Sequence, residues 1–170
     1  MENIYIALLI LFLPLASFIY QLFFSKIFGN KTHYISLGLI SFMFFLCMSF
    51  FLNIFDHHFD SHPFLDISRV WFTTGSFTLE LGFYIDKITC IMLGVVSLIS
   101  LLVHIYSVEY MRGDIRYSRY FAFLGLFTFS MNGIVLSDSL IMMYLFWELV
   151  GLSSYLLIGF WFNKDSAASG

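Results

Sequence analysis

The chain has 170 residues, of which 60% are hydrophobic and 11% are charged, and its mean hydropathy is +0.89. This composition lies well outside that of soluble domains and predicts an integral membrane protein. The net charge of -3 leaves no basic surface, which excludes nucleic acid as a partner.

Five apolar runs are long enough to cross a bilayer as α-helices, because a hydrocarbon core of about 30 Å needs roughly 20 helical residues. The predicted transmembrane helices occupy residues 4–24, 34–55, 88–108, 120–136 and 139–162. The sequence therefore predicts an all-α integral membrane protein with about five transmembrane helices.

The segment between the second and third predicted helices contains a strand pattern. Apolar and polar or small residues alternate from Phe77 to Phe83, as in a half-buried strand, and Thr73, Thr74 and Gly75 supply a turn before it. We expect a short extracytoplasmic β-hairpin that caps the helices. Asp138, between two serines, predicts a tight connection between the fourth and fifth helices.

Lysine and arginine are distributed unequally between the two sides of the membrane. The side reached by the ends of helices one, three and five holds Lys26, Lys31, Arg112, Arg116, Arg119 and Lys164, whereas the opposite side holds Arg69 and Lys87. The positive-inside rule then predicts that the N-terminus lies outside.

The long outer loop has polar side chains that could bind a divalent metal, namely His57, His58, His62, Asp56, Asp60 and Asp66. Adjacent histidines point apart, however, and no helical spacing holds these groups together. We interpret this segment as a solvated polar loop and predict no metal site. Cys47 and Cys90 are not spaced like a redox or metal pair and are interpreted as packing residues.

Glu148 is the only charged residue among residues 139–162, and it lies near the middle of that run. A charge at this depth costs on the order of 2.5 to 3.5 kcal/mol on insertion scales. Such groups commonly handle protons or ions, which is the function we predict for Glu148. The alternative is a protonated acid that serves only as an interhelical hydrogen bond.

Helical spacing places two tyrosines, Tyr144 and Tyr155, and two glycines, Gly151 and Gly159, on the face of Glu148. The glycines would allow another helix to approach, and the tyrosines would offer hydroxyl groups beside the carboxylate. We expect this face to form a hydrated site directed into a helix bundle.

Proton loading at such a site follows from two opposing effects. Removal from water favours the neutral acid, whereas an approaching cation favours the carboxylate. No lysine or arginine lies at mid-membrane depth in the 170 residues, so the cation would come from another segment or another chain.

His104 lies near the inner end of the third predicted helix. Histidine exchanges protons near physiological pH, which suits a proton relay. A histidine that is hydrogen-bonded to a neighbouring helix is an equally good interpretation.

Two regions carry a resemblance to a known family. The first comprises residues 102–104, 106–107, 110–114 and 117–122, and the second is the run WELVGLSSYLLIGF at residues 147–160. Both resemble the largest antiporter-like membrane subunit of respiratory complex I, the proton-pumping NADH:quinone oxidoreductase. The resemblance implies that residues 1–170 form a single N-terminal part of an antiporter-like transmembrane domain, as in an N-terminal fragment.

The resemblance also implies a role for Glu148 in a proton-translocating half-channel, paired with a lysine on a seventh helix. It implies no cofactor in this chain and no redox chemistry of its own, with flavin, iron-sulfur clusters and quinone in partner subunits. The other membrane subunits of complex I and the lipid bilayer are the expected partners. A bacterial cytoplasmic membrane is the favoured location, with the mitochondrial inner membrane as the alternative.

Two other functions agree with the same residues. One is the large subunit of a multisubunit sodium/proton antiporter, which has similar motifs. The other is a non-transporting scaffold whose five helices dock against partner subunits.

Overall fold

The computed structural model describes residues 2–28, 32–56, 63–75 and 77–161. Its helices are α1 (Glu2–Phe28), α2 (Thr32–Asp56), α3 (Lys87–Tyr110), α4 (Tyr117–Leu136) and α5 (Leu140–Ile158), with a 3-10 turn at Gly159–Trp161. All five α-helices are long and apolar enough to cross a membrane. The predicted fold class is therefore confirmed.

Side-chain caps determine where α3 and α5 begin. The Thr89 N–H donates a hydrogen bond to Asp86 Oδ1 at 2.7 Å, and the Met142 N–H donates to Ser139 Oγ at 3.4 Å. These bonds satisfy backbone donors that have no partner within the first turn of a helix. Both helices consequently enter the bundle at defined residues.

The helix α4 lies at the centre of the bundle. It packs against α1 on one side and α5 on the other, while α2 packs against α1 and α3. In the predicted spanning segments, 56% of the α4 residues are buried but only 11% of the α5 residues. Helix α5 therefore lies at the edge of the described bundle, with most of its surface uncovered.

Small and polar side chains allow α1 and α4 to approach closely. A Cβ atom on Gly125 would lie 3.0 Å from the Pro14 carbonyl oxygen and 3.2 Å from the Phe18 nitrogen. About two turns farther along α4, Asn132 Nδ2 donates to the Ile10 carbonyl oxygen at 3.2 Å. Close backbone contact and interhelical hydrogen bonds are what hold helices together in lipid, where hydrophobic driving force is absent.

The segment between α2 and α3 folds as an antiparallel hairpin of β1 (Leu65–Thr74) and β2 (Phe77–Ile85). An irregularity in the register falls between Val70 and Phe72, and Gly75 adopts a φ of 58° at the turn. This positive φ favours glycine because it has no Cβ atom. The expected hairpin is thus confirmed.

The hairpin is tied to the connection between α4 and α5. The Gly82 N–H donates to Asp138 Oδ1 at 3.0 Å, and the Ser139 hydroxyl donates to the Glu80 carbonyl oxygen at 3.2 Å. A Cβ atom on Gly82 would collide with the Ile67 carbonyl oxygen and the Asp138 carboxylate. Strand β2 can therefore approach Asp138 only because Gly82 has no side chain. Asp138 therefore fastens β2 to the helical bundle.

The predicted polar loop falls largely outside the described residues, because residues 57–62 include all three of its histidines. Asp66 is described and is exposed on β1. In the described ranges, no three side chains of histidine, cysteine, aspartate or glutamate gather as a metal site. Cys47 and Cys90 are both buried in the core, with reduced thiols.

We predict that Gly125→Leu destabilises the bundle. The new side chain would meet the α1 backbone, and overpacking of this kind costs about 1 to 3 kcal/mol. Gly38→Leu is the matched control, because no atom lies within 4 Å of a Cβ atom at that position. Thermal unfolding in detergent should show a lower midpoint for Gly125→Leu and little change for Gly38→Leu; equal midpoints would contradict the close α1 to α4 contact.

We also predict that Asp138→Ala loosens the hairpin. A hydrogen bond to a charged acceptor contributes about 1.5 to 3 kcal/mol, so hydrogen exchange at the Gly82 amide should accelerate by roughly tenfold or more. Asp66→Ala removes an exposed carboxylate from the same hairpin and should leave this exchange unchanged. A similar effect of both substitutions would show that Asp138 does not hold β2.

Candidate functional site on the outer face of α5

Glu148 lies near the middle of α5, about 12 Å along the helix axis from Leu140. Its side chain is exposed on the surface of the described bundle. A carboxylate thus lies at mid-membrane depth on a face that the five helices leave open.

The other residues of the predicted face share this exposure. Tyr144 is 62% exposed and Tyr155 is 73% exposed. No atom lies within 4 Å of a Cβ atom built on Gly151 or Gly159. The structure therefore brings these residues together on one face, but that face points away from the described bundle rather than into it.

Tyr144 and Glu148 lie one helical turn apart on α5, so their side chains are neighbours on the same face. Within residues 77–161 and the other described ranges, Glu148 forms no ion pair. The site consists of a carboxylate with a phenol beside it, and the described chain places no cation on it.

Packing on the opposite side of α5 accounts for the outward direction of Glu148. The Phe146 ring occupies the space over Gly133 of α4, where a Cβ atom would collide with it, and its centroid lies 5.5 Å from that of Phe129. Ser153 is buried on the same side. Because Phe146 and Glu148 are two residues apart in a helix, seating the ring on α4 turns the carboxylate away from it.

His104 is buried on α3 and is only 1% exposed. Its Nδ1 lies 2.8 Å from the Ser100 carbonyl oxygen, which can only accept, so Nδ1 carries the hydrogen. The Nε2 atom is then an acceptor, and it is buried without a hydrogen-bond partner among the described residues, as is the Ser107 hydroxyl.

A hydroxyl pair connects the surroundings of His104 to α4. The Thr128 hydroxyl donates to the Leu124 carbonyl oxygen at 2.9 Å, so the Ser100 hydroxyl must donate to Thr128 Oγ1, which lies 2.7 Å away. Sequence reasoning missed Ser100 and Thr128. Both are hydroxyl residues inside apolar helices, but nothing in the sequence around either one indicates that the two side chains face each other.

The structure does not bring His104 and Glu148 together. A groove of about 180 Å³ beside His104 is lined by residues of α3 and α4 and by Leu157 of α5. Leu157 is nine residues beyond Glu148, which places the two side chains on opposite sides of α5. Of the predicted site residues, Glu148, Tyr144 and Tyr155 therefore share one face of α5, whereas His104 is buried separately on α3.

Comparisons with known families agree on two regions of the chain. Residues 71–121 match the family described as NADH-Ubiquinone oxidoreductase (complex I), chain 5 N-terminus. Residues 137–170, which include Glu148, match the family described as NADH:quinone oxidoreductase/Mrp antiporter, TM.

Curated relatives carry the name NAD(P)H-quinone oxidoreductase subunit 5 or chain 5. The chloroplastic protein of Chlorokybus atmophyticus is 46% identical over 123 residues, which is 72% of this chain and 19% of the relative. That of Anthoceros angustus is 54% identical over 99 residues, or 58% of this chain and 14% of the relative. The Synechocystis protein is 50% identical over 98 residues, which is again 58% of this chain and 14% of the relative. The chain thus spans less than a fifth of the length of these relatives.

A solved structure supports the fold. The membrane-bound sulfane sulfur reductase, an archaeal respiratory membrane complex, contains a chain that superposes with a TM-score of 0.78 at 16% identity, covering 96% of this chain and 32% of that one. Together with the two family matches, this likeness agrees with the resemblance in the sequence motifs. The chain belongs to the chain 5 family of antiporter-like membrane subunits of NADH:quinone oxidoreductase.

Proposed function

We propose that the chain is part of the proton-translocating membrane subunit of an NADH:quinone oxidoreductase, in which Glu148 belongs to a proton half-channel that is coupled to quinone reduction. The observation that carries this proposal is the uncovered carboxylate on α5, inside the segment that matches the antiporter family. The names of the relatives support the choice of the quinone oxidoreductase.

The open α5 face requires a protein neighbour in the membrane. Hydrocarbon would oppose a charged carboxylate at this depth by several kcal/mol, on the order of 2.5 to 3.5. The bare surface at Gly151, less than one turn from Glu148, leaves room for a helix to approach. We infer that another helix of the assembly covers Glu148 and Tyr144.

A cation on the covering helix would make the site work as a switch. When the cation approaches, Glu148 is stabilised as a carboxylate, and when it withdraws, the dry surroundings favour the neutral acid. The family resemblance implies a lysine on a seventh helix for this role. Tyr144, one helical turn away on the same face, would offer its hydroxyl to the carboxylate as a hydrogen-bond donor.

The chemistry of the chain is then proton transfer, without redox chemistry of its own. Flavin, iron-sulfur clusters and quinone would be bound by partner subunits, and the other membrane subunits of the complex would be the direct neighbours. The five membrane-capable helices make the chain a multi-pass membrane protein. We place it in an energy-transducing membrane, with the N-terminus outside.

The particular membrane is a separate proposal. A bacterial cytoplasmic membrane or a mitochondrial inner membrane was expected from the sequence, whereas two of the relatives named above are chloroplastic proteins. The proposed function would build a proton gradient across whichever of these membranes holds the complex.

A sodium/proton antiporter subunit is the second candidate, favoured by the family match that covers both complex I and Mrp antiporters. Purification of the assembly distinguishes the two. Flavin and iron-sulfur subunits in the purified complex support the oxidoreductase, and their absence together with sodium-dependent proton exchange supports the antiporter.

We predict that Glu148→Gln leaves assembly of the complex normal but lowers proton translocation by about tenfold or more, because the amide cannot gain or lose a proton at this step. Proton uptake by vesicles that contain the assembled complex measures the effect.

Glu109→Gln is the matched control for this substitution. Glu109 is an exposed residue at the end of α3, in a surface ion pair with Arg112 at 3.2 Å. Its replacement should leave proton uptake unchanged. Full proton uptake in Glu148→Gln would instead support the scaffold hypothesis, in which the helices serve assembly alone.

The relay hypothesis for His104 makes a different prediction. His104→Gln keeps a polar side chain near the Ser100 carbonyl oxygen but cannot exchange protons, so translocation per assembled complex should fall while thermal stability stays close to wild type. Lower stability with unchanged translocation would assign His104 to packing between α3 and α4.

A further inference from the structure

A second open feature lies at the membrane edge opposite the hairpin, between the beginning of α4 and the end of α5. It is a groove with a volume of about 310 Å³, lined by Arg116, Arg119, Phe123, Tyr155, Leu156, Gly159 and Phe160. We call it the Arg119 groove. The lining therefore combines two arginine side chains with apolar side chains.

The charge of the Arg119 groove is positive. Arg119 is exposed, and the guanidinium carbon of Arg116 lies 5.1 Å from the centroid of the Phe160 ring. The first turn of α4 contains no acidic residue. The groove lining therefore carries two guanidinium groups, and the Asp114 carboxylate at the start of α4 lies outside that lining.

Two carboxylates, those of Asp114 and Glu109, lie near this edge of the bundle. Asp114 accepts the Arg116 N–H at Oδ1, at 2.8 Å, and Trp161 Nε1–H at Oδ2, at 3.1 Å. Glu109 is paired with Arg112 on the exposed surface. Neither of these carboxylates lines the Arg119 groove.

Aromatic residues place the groove at the level of the lipid headgroups. Trp161 and Tyr110 lie at this edge with ring centroids 5.8 Å apart, and tryptophan and tyrosine are enriched at membrane interfaces. Because α4 enters the membrane here and α5 leaves it, Phe123 and Leu156 lie deeper than Arg116 and Phe160. The groove is cationic at the interface and apolar towards the membrane centre.

This polarity matches an amphiphile that has an anionic head and a hydrocarbon tail. Free phosphate would use only the upper part of the groove. Basic grooves between transmembrane helices are a known means of binding anionic lipid headgroups. Tyr155 adds a hydroxyl that can donate to a phosphate or ester oxygen.

We propose that the Arg119 groove binds one anionic phospholipid. The phosphate lies between Arg119 and the first turn of α4, and one acyl chain follows Phe123 and Leu156. The site is independent of proton transfer at Glu148, since its ligand is a lipid and its charges are arginines.

The first test measures lipid retention by the assembly that contains this chain, purified in mild detergent. The assembly is exposed to phosphatidylglycerol or phosphatidylcholine, and bound lipid is counted by native mass spectrometry. We expect a preference for phosphatidylglycerol that Arg119→Gln reduces by about fivefold, the effect of one arginine near an anionic headgroup.

Arg112→Gln is the matched control, since it removes one positive charge at the same edge but outside the Arg119 groove. Its lipid preference should equal that of wild type. Equal losses in the two variants would mean diffuse attraction to a charged surface and would overturn the proposal. Displacement of the lipid by inorganic phosphate at matched concentration would also overturn it.

The second test identifies the occupant directly. A photoreactive residue in place of Leu156, in the assembled protein within vesicles that contain phosphatidylglycerol, should cross-link to phospholipid. Cross-linking to a protein subunit instead would show that polypeptide fills the groove.

Discussion

Polar groups inside a bilayer must find hydrogen bonds within the protein, because hydrocarbon offers none. Asn132 meets part of this requirement by donating to the α1 backbone, and His104 does so by donating to the Ser100 carbonyl oxygen, while Asn132 Oδ1 and His104 Nε2 are buried without a partner among the described residues. The hydroxyls of Ser17 and Ser36 bond to each other between α1 and α2. The Asn132 bond joins α4 to α1, and the serine pair joins α1 to α2. In the described chain, Glu148 is the charged group at mid-membrane depth that no helix covers.

The outward position of Glu148 follows from packing elsewhere on the same helix. Gly133 leaves space for the Phe146 ring, and Ser153 is buried on the same side of α5. A helix that seats these residues on α4 must present its other face outwards. A rotation that buried Glu148 would unseat Phe146 and place a carboxylate against apolar side chains. Packing and exposure are therefore two consequences of one helix orientation.

The parts of this arrangement that depend on residues close together in sequence could be predicted from the sequence. A run of about 20 apolar residues is enough to predict a helix in a membrane, and alternation from Phe77 onwards was enough to predict a strand. The shared face of Tyr144 and Glu148 also followed from helical periodicity. The direction in which that face points could not be predicted, because it depends on the contact between Gly133 of α4 and Phe146 of α5. The contact of Gly82 with Asp138 could not be predicted either, because the two residues are far apart in sequence.

The two ends of the α4 and α5 pair differ in how they are held, and this difference bears on the proposed switch. Asp138 and Ser139 fix one end to the hairpin, whereas the other end opens into the Arg119 groove. Tyr155 lines that groove and also lies two turns from Glu148 on the same face. A phosphate bound there would offset the positive potential of the arginines at this face. The cation that decides whether Glu148 holds a proton would then be the one on the covering helix, so that protonation would follow the movement of that helix rather than a fixed charge at the membrane edge.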